Sequence, residues 1–96
     1  MDNPQQEDME ETAEIFKCLG DKTRVEVLLT MEETERCVHE ISEMTEQEIS
    51  NVSHHLRRLK EKRLVDYRKE GRHKYYRIDD EHVLNILEEG LEHAKE

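Results

Sequence analysis

Four side chains near the end of this 96-residue chain set a condition that one copy cannot meet. Residues 79–96 read as a helix carrying four potential metal ligands, Asp80, His82, His93 and Glu96. His93 and Glu96 are three apart and share one helical face. His82 and His93 are eleven apart, which at ~100° per residue returns them to nearly the same stripe. At ~1.5 Å per residue they are also roughly 16 Å apart along the axis, so one ion cannot touch both within one helix. Two copies laid antiparallel about a two-fold axis solve this, because Asp80 and His82 of one face His93 and Glu96 of the other. Two nitrogens and two carboxylate oxygens suit tetrahedral zinc. The bland reading is that Asp79 and Asp80 cap a helix start and that the remaining ligands are the wet face of a charged helix.

The composition bears on that choice. A single small domain is expected, residues 9–96, behind a polar arm at 1–8 that holds the only proline. With 33% hydrophobic and 42% charged residues, such a chain gains from burying further surface in an oligomer. No apolar run approaches ~20 residues and no signal peptide heads the chain, so a soluble, cytoplasmic protein with no membrane partner is expected. In that reducing compartment Cys18 and Cys37 read as thiols.

The net charge of −10 argues against nucleic acid, but its distribution argues the other way. Residues 47–77 hold ten Lys/Arg against four Asp/Glu, a net of +6, while the segments on either side are acidic. A basic middle on an acidic body is the footprint of a phosphate-binding surface.

Helical spacing runs through Met9, Ala13, Phe16 and Leu19, with Ile15 beside them. Gly20 ends that helix and Asp21 caps the next, which carries Val25, Val27, Leu28, Leu29 and Met31. Residues 32–36 read as a connection, and Val38, Ile41 and Met44 mark a third helix. Thr45 with Glu48 fits a capping box. It opens a helix with Ile49, Val52, Leu56 and Leu59 inward and Ser50, Ser53, His54 and Arg57 outward. This is the pattern of a helix-turn-helix, or else of an ordinary helical hairpin. Two strand-like runs follow, Leu64-Val65-Asp66-Tyr67-Arg68 and Lys74-Tyr75-Tyr76-Arg77-Ile78, around the Gly-containing turn 69–73. Arg68, Lys69, Arg72 and Lys74 lie on this hairpin, where they can reach phosphates. The expected fold is therefore mainly α with a small β-hairpin, a winged helix-turn-helix. No nucleophile–base pair or cleft-forming length points to an enzyme, and no small-molecule substrate is expected.

Phe16-Lys17-Cys18-Leu19-Gly20-Asp21-Lys22-Thr23-Arg24 resembles the F-K-A-L-G-D-x-x-R opening of the ArsR/SmtB family of metalloregulators. Asn51-Val52-Ser53-His54-His55-Leu56 is similar to that family's recognition-helix motif, and Leu64 to Tyr76 is similar to its wing. The resemblance implies a repressor, homodimeric through its first and last helices, that binds an inverted repeat in double-stranded DNA and releases it on binding its metal. Its DNA contacts would come from Ser50, Asn51, Ser53, His54, Arg57 and the four hairpin cations.

Within the family, D-x-H followed by H-x-x-E or H-x-x-H on the last helix forms the inter-subunit zinc site. Asp80, His82, His93 and Glu96 match it, with Zn(II) as regulatory ligand and Co(II) as a substitute. The resemblance also suggests that a backbone carbonyl near Arg63 and Leu64 holds the other nitrogen of His93. Cys37 and His39 resemble a second, accessory family site, although no Cys or His stands in the arm to complete it. Cys18 reads as a small core residue. One departure concerns the turn before the recognition helix, where the family often has Gly and Ser and this chain has Glu46 and Glu48. Three alternatives stay open: a sensor of Co or Ni, a sensor of thiol oxidation through Cys37, and a winged helix used for protein contact.

Overall fold

The computed structural model describes residues 3–96. The chain forms α1 (Gln6–Leu19), α2 (Lys22–Leu29), β1 (Arg36–Cys37), α3 (Val38–Thr45), α4 (Ile49–Glu61), β2 (Val65–Glu70), β3 (His73–Ile78) and α5 (Glu81–Lys95). Helix α1 starts inside the segment read as an arm. Gln5 caps it, and the Asp8 carboxylate accepts from the Gln5 N–H at 3.2 Å, so local capping carries helix three residues before Met9. Residues 1 and 2 of that arm lie outside the described residues.

The core is assembled from short helices that each bury one stripe. Val27 and Leu28 of α2, Ile41 of α3 and Val52, Leu56 and Leu59 of α4 are fully buried, and Leu64, Val65 and Tyr76 close the core from the sheet. Cys18 is buried among them as a free thiol. The strands run antiparallel in the order β1-β3-β2. Tyr67 stands opposite Tyr76 and Lys69 opposite Lys74, so these side chains share a face of the hairpin. The turn is two residues tight, and Gly71 takes its first position with φ +62°, which a primed hairpin turn requires there. Strand β1 pairs Arg36 with Tyr76 and Cys37 with Tyr75, within and just past the stretch read as connection. Two residues carry no periodicity, so this strand exists only through its partner.

The capping box expected at Thr45 does not form. Thr45 ends α3, buried, with its hydroxyl donating to the Ile41 carbonyl at 2.7 Å. Glu46 caps α3 in the left-handed region, φ 57°, and Glu48 is the N-cap of α4 without a side-chain bond. Ile49 is consequently the first residue of α4 and is 45% exposed instead of buried. Met44 is exposed as well. At its other end α4 closes in a Schellman motif: Leu64 N–H donates to the Leu59 carbonyl, Arg63 N–H to that of Lys60, and Arg63 has φ 58°. Among the described residues no helix is long and apolar enough to cross a membrane.

Candidate nucleic-acid interface and metal-ligand pairs

Helix α4 turns its two polar sides to different surroundings. Ser50, His54 and Arg57 follow each other at steps of four and three and are exposed, forming an outward face. Ile49, Ser53, Arg57 and Lys60 border the groove between α4 and the wing, whose other wall is Tyr67, Lys74 and Tyr76, with Arg72 and His73 at the tip. Asn51 is half-buried and donates to the Gln47 side chain at 2.8 Å, across the first turn of the helix. The basic last turn of α4, Arg58 and Lys60, also complements its dipole.

The wing places its cations unequally. Lys69 and Lys74 project on the face that looks toward α4, and Lys74 Nζ lies 4.6 Å from the centre of the Tyr67 ring. The Tyr67 and Tyr76 rings meet at a tilt of 48° with centres 5.2 Å apart, and Tyr76 is buried in the core. Arg72 is exposed in the turn. Arg68 departs from this group, because strand alternation turns it to the opposite face. There it forms a fork on Glu35, at 2.6 and 2.9 Å, bonds Glu70 at 2.8 Å, and lies 4.8 Å from the Tyr75 ring centre. The guanidinium bonds hold the Glu35 carboxyl below the usual carboxylate range and push Arg68 up. Arg68 is thus a strut between the wing and the segment before β1.

A second network ties α4 to α1 and α2. Arg24 Nε donates to His55 Nδ1 at 3.2 Å and Nη1 to the Cys18 carbonyl at 3.1 Å, while Asp21 caps α2 through the Arg24 N–H. That backbone bond is the main reason the Asp21 carboxyl sits low. Burial pushes the His55 imidazole down. An imidazole accepting at Nδ1 is neutral, in agreement with that direction.

Of the four proposed ligands on α5, Asp80 and His82 are in contact at one end, and His93 and Glu96 stand at the other. Asp80 is the N-cap of α5, its Oδ1 accepting from Val83 N–H at 3.0 Å and lying 3.7 Å from His82 Nδ1. His93 and Glu96 stand three apart at the far end, joined in the backbone by the Glu96 N–H donating to the His93 carbonyl at 3.3 Å. Among the described residues of one chain no group of three or more His, Cys, Asp or Glu is placed to hold a metal ion. The Asp80/His82 end adjoins Lys62, Arg63 and Leu64 at the close of α4 and Glu11 and Ile15 of α1. The Leu64 carbonyl, suggested by resemblance for His93, accepts from the Asp79 N–H at 3.1 Å.

Cys37 and His39 have other partners. Cys37 is the N-cap residue of α3, and its N–H donates to the Glu40 carboxylate at 2.9 Å. The His39 ring is edge-on to His73 at 6.4 Å.

The sequence pattern of the bacterial regulatory proteins of the arsR family matches residues 21–67. Over 87 residues the chain is 40% identical to the cadmium resistance transcriptional regulatory protein CadC homolog of Staphylococcus aureus, covering 90% of this chain and 72% of that protein. The chain belongs to the arsR family. A transcriptional repressor SmtB homolog of Synechocystis is 37% identical over 91% of this ArsR-family chain and 66% of its own length, so about a third of that relative has no counterpart here. A homodimeric winged helix-turn-helix DNA-binding domain of Mycobacterium bovis shares the fold with a TM-score of 0.85 and 28% identity, covering 99% of this chain and 91% of that one. The AntR antimony-specific transcriptional repressor does so with 0.86 and 28%, covering 99% and 86%. This ArsR-family chain is a winged helix-turn-helix regulator and not an enzyme.

Proposed function

We propose that this protein is a metal-responsive transcriptional repressor that binds an operator inverted repeat as a homodimer and is released by Zn(II) held between its C-terminal helices. The observation that carries the reading is the placement of the ligands. Two stand at each end of α5, and the Asp80/His82 pair is beside the end of the reading helix. The relatives' names, which speak of cadmium resistance and of a repressor, support it.

The donor set fits the ion. His82 is almost wholly exposed, and the imidazole and carboxylate pairs of two antiparallel α5 helices make a four-coordinate N/O shell. When bound, each ion supplies one cross-link between subunits, two in the symmetric dimer. The chain itself supplies the coupling. The Asp79 N–H donates to the Leu64 carbonyl, so a shift of the Asp80/His82 end bears directly on the last turn of α4. In DNA binding, Ser50, Asn51, Ser53, His54 and Arg57 reach base edges or phosphates, and Lys69, Arg72 and Lys74 add phosphate contacts from the wing. The ligand must favour the free dimer's geometry over the DNA-bound one, and operator DNA must then weaken zinc binding by the same factor.

The test is an anaerobic titration of the reduced full-length protein with Co(II), followed by zinc displacement and operator binding. Visible bands without a thiolate transition, saturating at one ion per chain, are expected. A thiolate transition at the first equivalent would move the sensor to Cys37 and His39. His93→Asn should weaken zinc binding and abolish release while sparing operator affinity; a collapse of operator affinity would make His93 structural.

A further inference from the structure

The first residue of the reading helix is a large aliphatic side chain in the open. Ile49 is 45% exposed at a position where the apolar stripe of α4 predicts burial. It precedes Ser53 by four residues, so the two stand one turn apart on the same side of α4. Both border the groove toward the wing, together with Arg72 and Lys74. The two are continuous with Arg57 and Lys60 further along the same side. An exposed Ile that shares its groove with Val38 and with the cations Arg72 and Lys74 of the wing is poorly placed for a protein partner's apolar patch, since the cations would be buried with it. It is well placed for duplex DNA, where phosphates take the cations and the groove floor offers one apolar group, the thymine C5-methyl.

Resting on the DNA-binding reading, we propose that Ile49 packs against a thymine methyl in the major groove and so requires a thymine at one fixed position of each half-site. The contact is non-directional and apolar, so it distinguishes thymine from cytosine without a hydrogen bond. The acids Glu46 and Glu48 immediately before it favour this division of labour. They repel phosphate, so the first turn of α4 takes its attraction from the groove floor, and the cations that answer the backbone stand farther along and on the wing.

The experiment starts from the full-length, metal-free protein and a random duplex pool, from which bound sequences are selected and a half-site is read. Each thymine of that half-site is then replaced by deoxyuridine, which removes only the methyl and keeps the base pair. Affinity is measured by fluorescence anisotropy. One position should lose affinity on losing its methyl, by about threefold per half-site and about tenfold for both half-sites of a dimer. Ile49→Ala should bind thymine and uracil duplexes alike, and Ile49→Val should fall between. The uracil series on the unaltered protein stands even if a variant folds poorly. If no thymine is sensitive, or if Ile49→Ala keeps the wild-type sensitivity, this inference is overturned while the DNA-binding reading survives. If the pool yields no preferred sequence, the DNA-binding reading falls and this inference with it.

Discussion

Glu46 is one of two non-glycine residues, with Arg63, that the described chain holds in the left-handed region. It holds φ 57° to end α3, and its N–H and that of Gln47 both donate to the Ser42 carbonyl. An L-residue in this region costs roughly 1 kcal/mol relative to glycine. Glu46→Gly should therefore stabilise the protein by about 1 kcal/mol, or raise Tm by about 4–8 °C, at fixed protein concentration. The same change removes an acid from the turn before α4, so on the proposed DNA-binding function operator affinity should rise as well. Calorimetry and anisotropy on the pair of proteins check both, and an unchanged Tm would mean that the turn relaxes without strain. The acid that looked out of place in the sequence is thereby explained as a conformational cost carried at the turn, offset by its backbone bonds.

At the scale of elements, two joints carry distinct loads. The joint between α2 and α4 is the Asp21–Arg24–His55 network. His55 is held below its ordinary value of 6.5, first by desolvation, with Asp21 opposing and Arg24 and His54 adding to the shift. Below that value the unfolded chain takes up a proton that the folded chain refuses. The stability present at neutral pH is thus lost as pH falls below about 6.5. His55→Gln should flatten the decline of Tm between about pH 7 and about pH 5, and parallel curves would remove His55 as its source. The other joint is the wing. Lys69 lies on the face of the hairpin it shares with Tyr67 and Lys74, the face proposed to meet DNA, whereas Arg68 braces the wing against Glu35. Lys69→Ala should lower the slope of log affinity against log salt by about 1, and Arg68→Ala should leave the slope intact. Equal slope changes would return Arg68 to the DNA surface.

The whole molecule is drawn out. Its radius of gyration is 14.1 Å, against about 12.5 Å for a compact domain of this length. The excess lies in helices that bury little in one chain. Of the fourteen residues of α1 only Cys18 is buried, while Met9 and Phe16 are 48% and 55% exposed, and Ile86 of α5 is exposed too. In the proposed dimer a second copy laid on α1 and α5 covers these side chains and sets the proposed metal-ligand pairs opposite one another. Phe16→Asp should raise the dimer dissociation constant at least about a hundredfold, since the loss occurs twice across a two-fold axis. Analytical ultracentrifugation reads the mass and circular dichroism the retained helix. A variant that stays dimeric would place the interface elsewhere.

The periodicities of α2 and α4, the hairpin around Gly71 and the basic segment 47–77 were legible because each is local: a helix stripe or a tight turn is written within a dozen residues. Helix α5, which carries the four proposed ligands, was legible for the same reason. What lay beyond the sequence was decided by partners distant along it. Strand β1 has no pattern of its own and forms because β3 offers an edge. Thr45 has the chemistry of an N-cap, yet α3 buries it and moves the helix start to Ile49. Arg68 reads like its neighbouring cations until the strand register aims it at Glu35. Local rules thus determined the elements, and tertiary contact decided their ends and the direction in which individual side chains point.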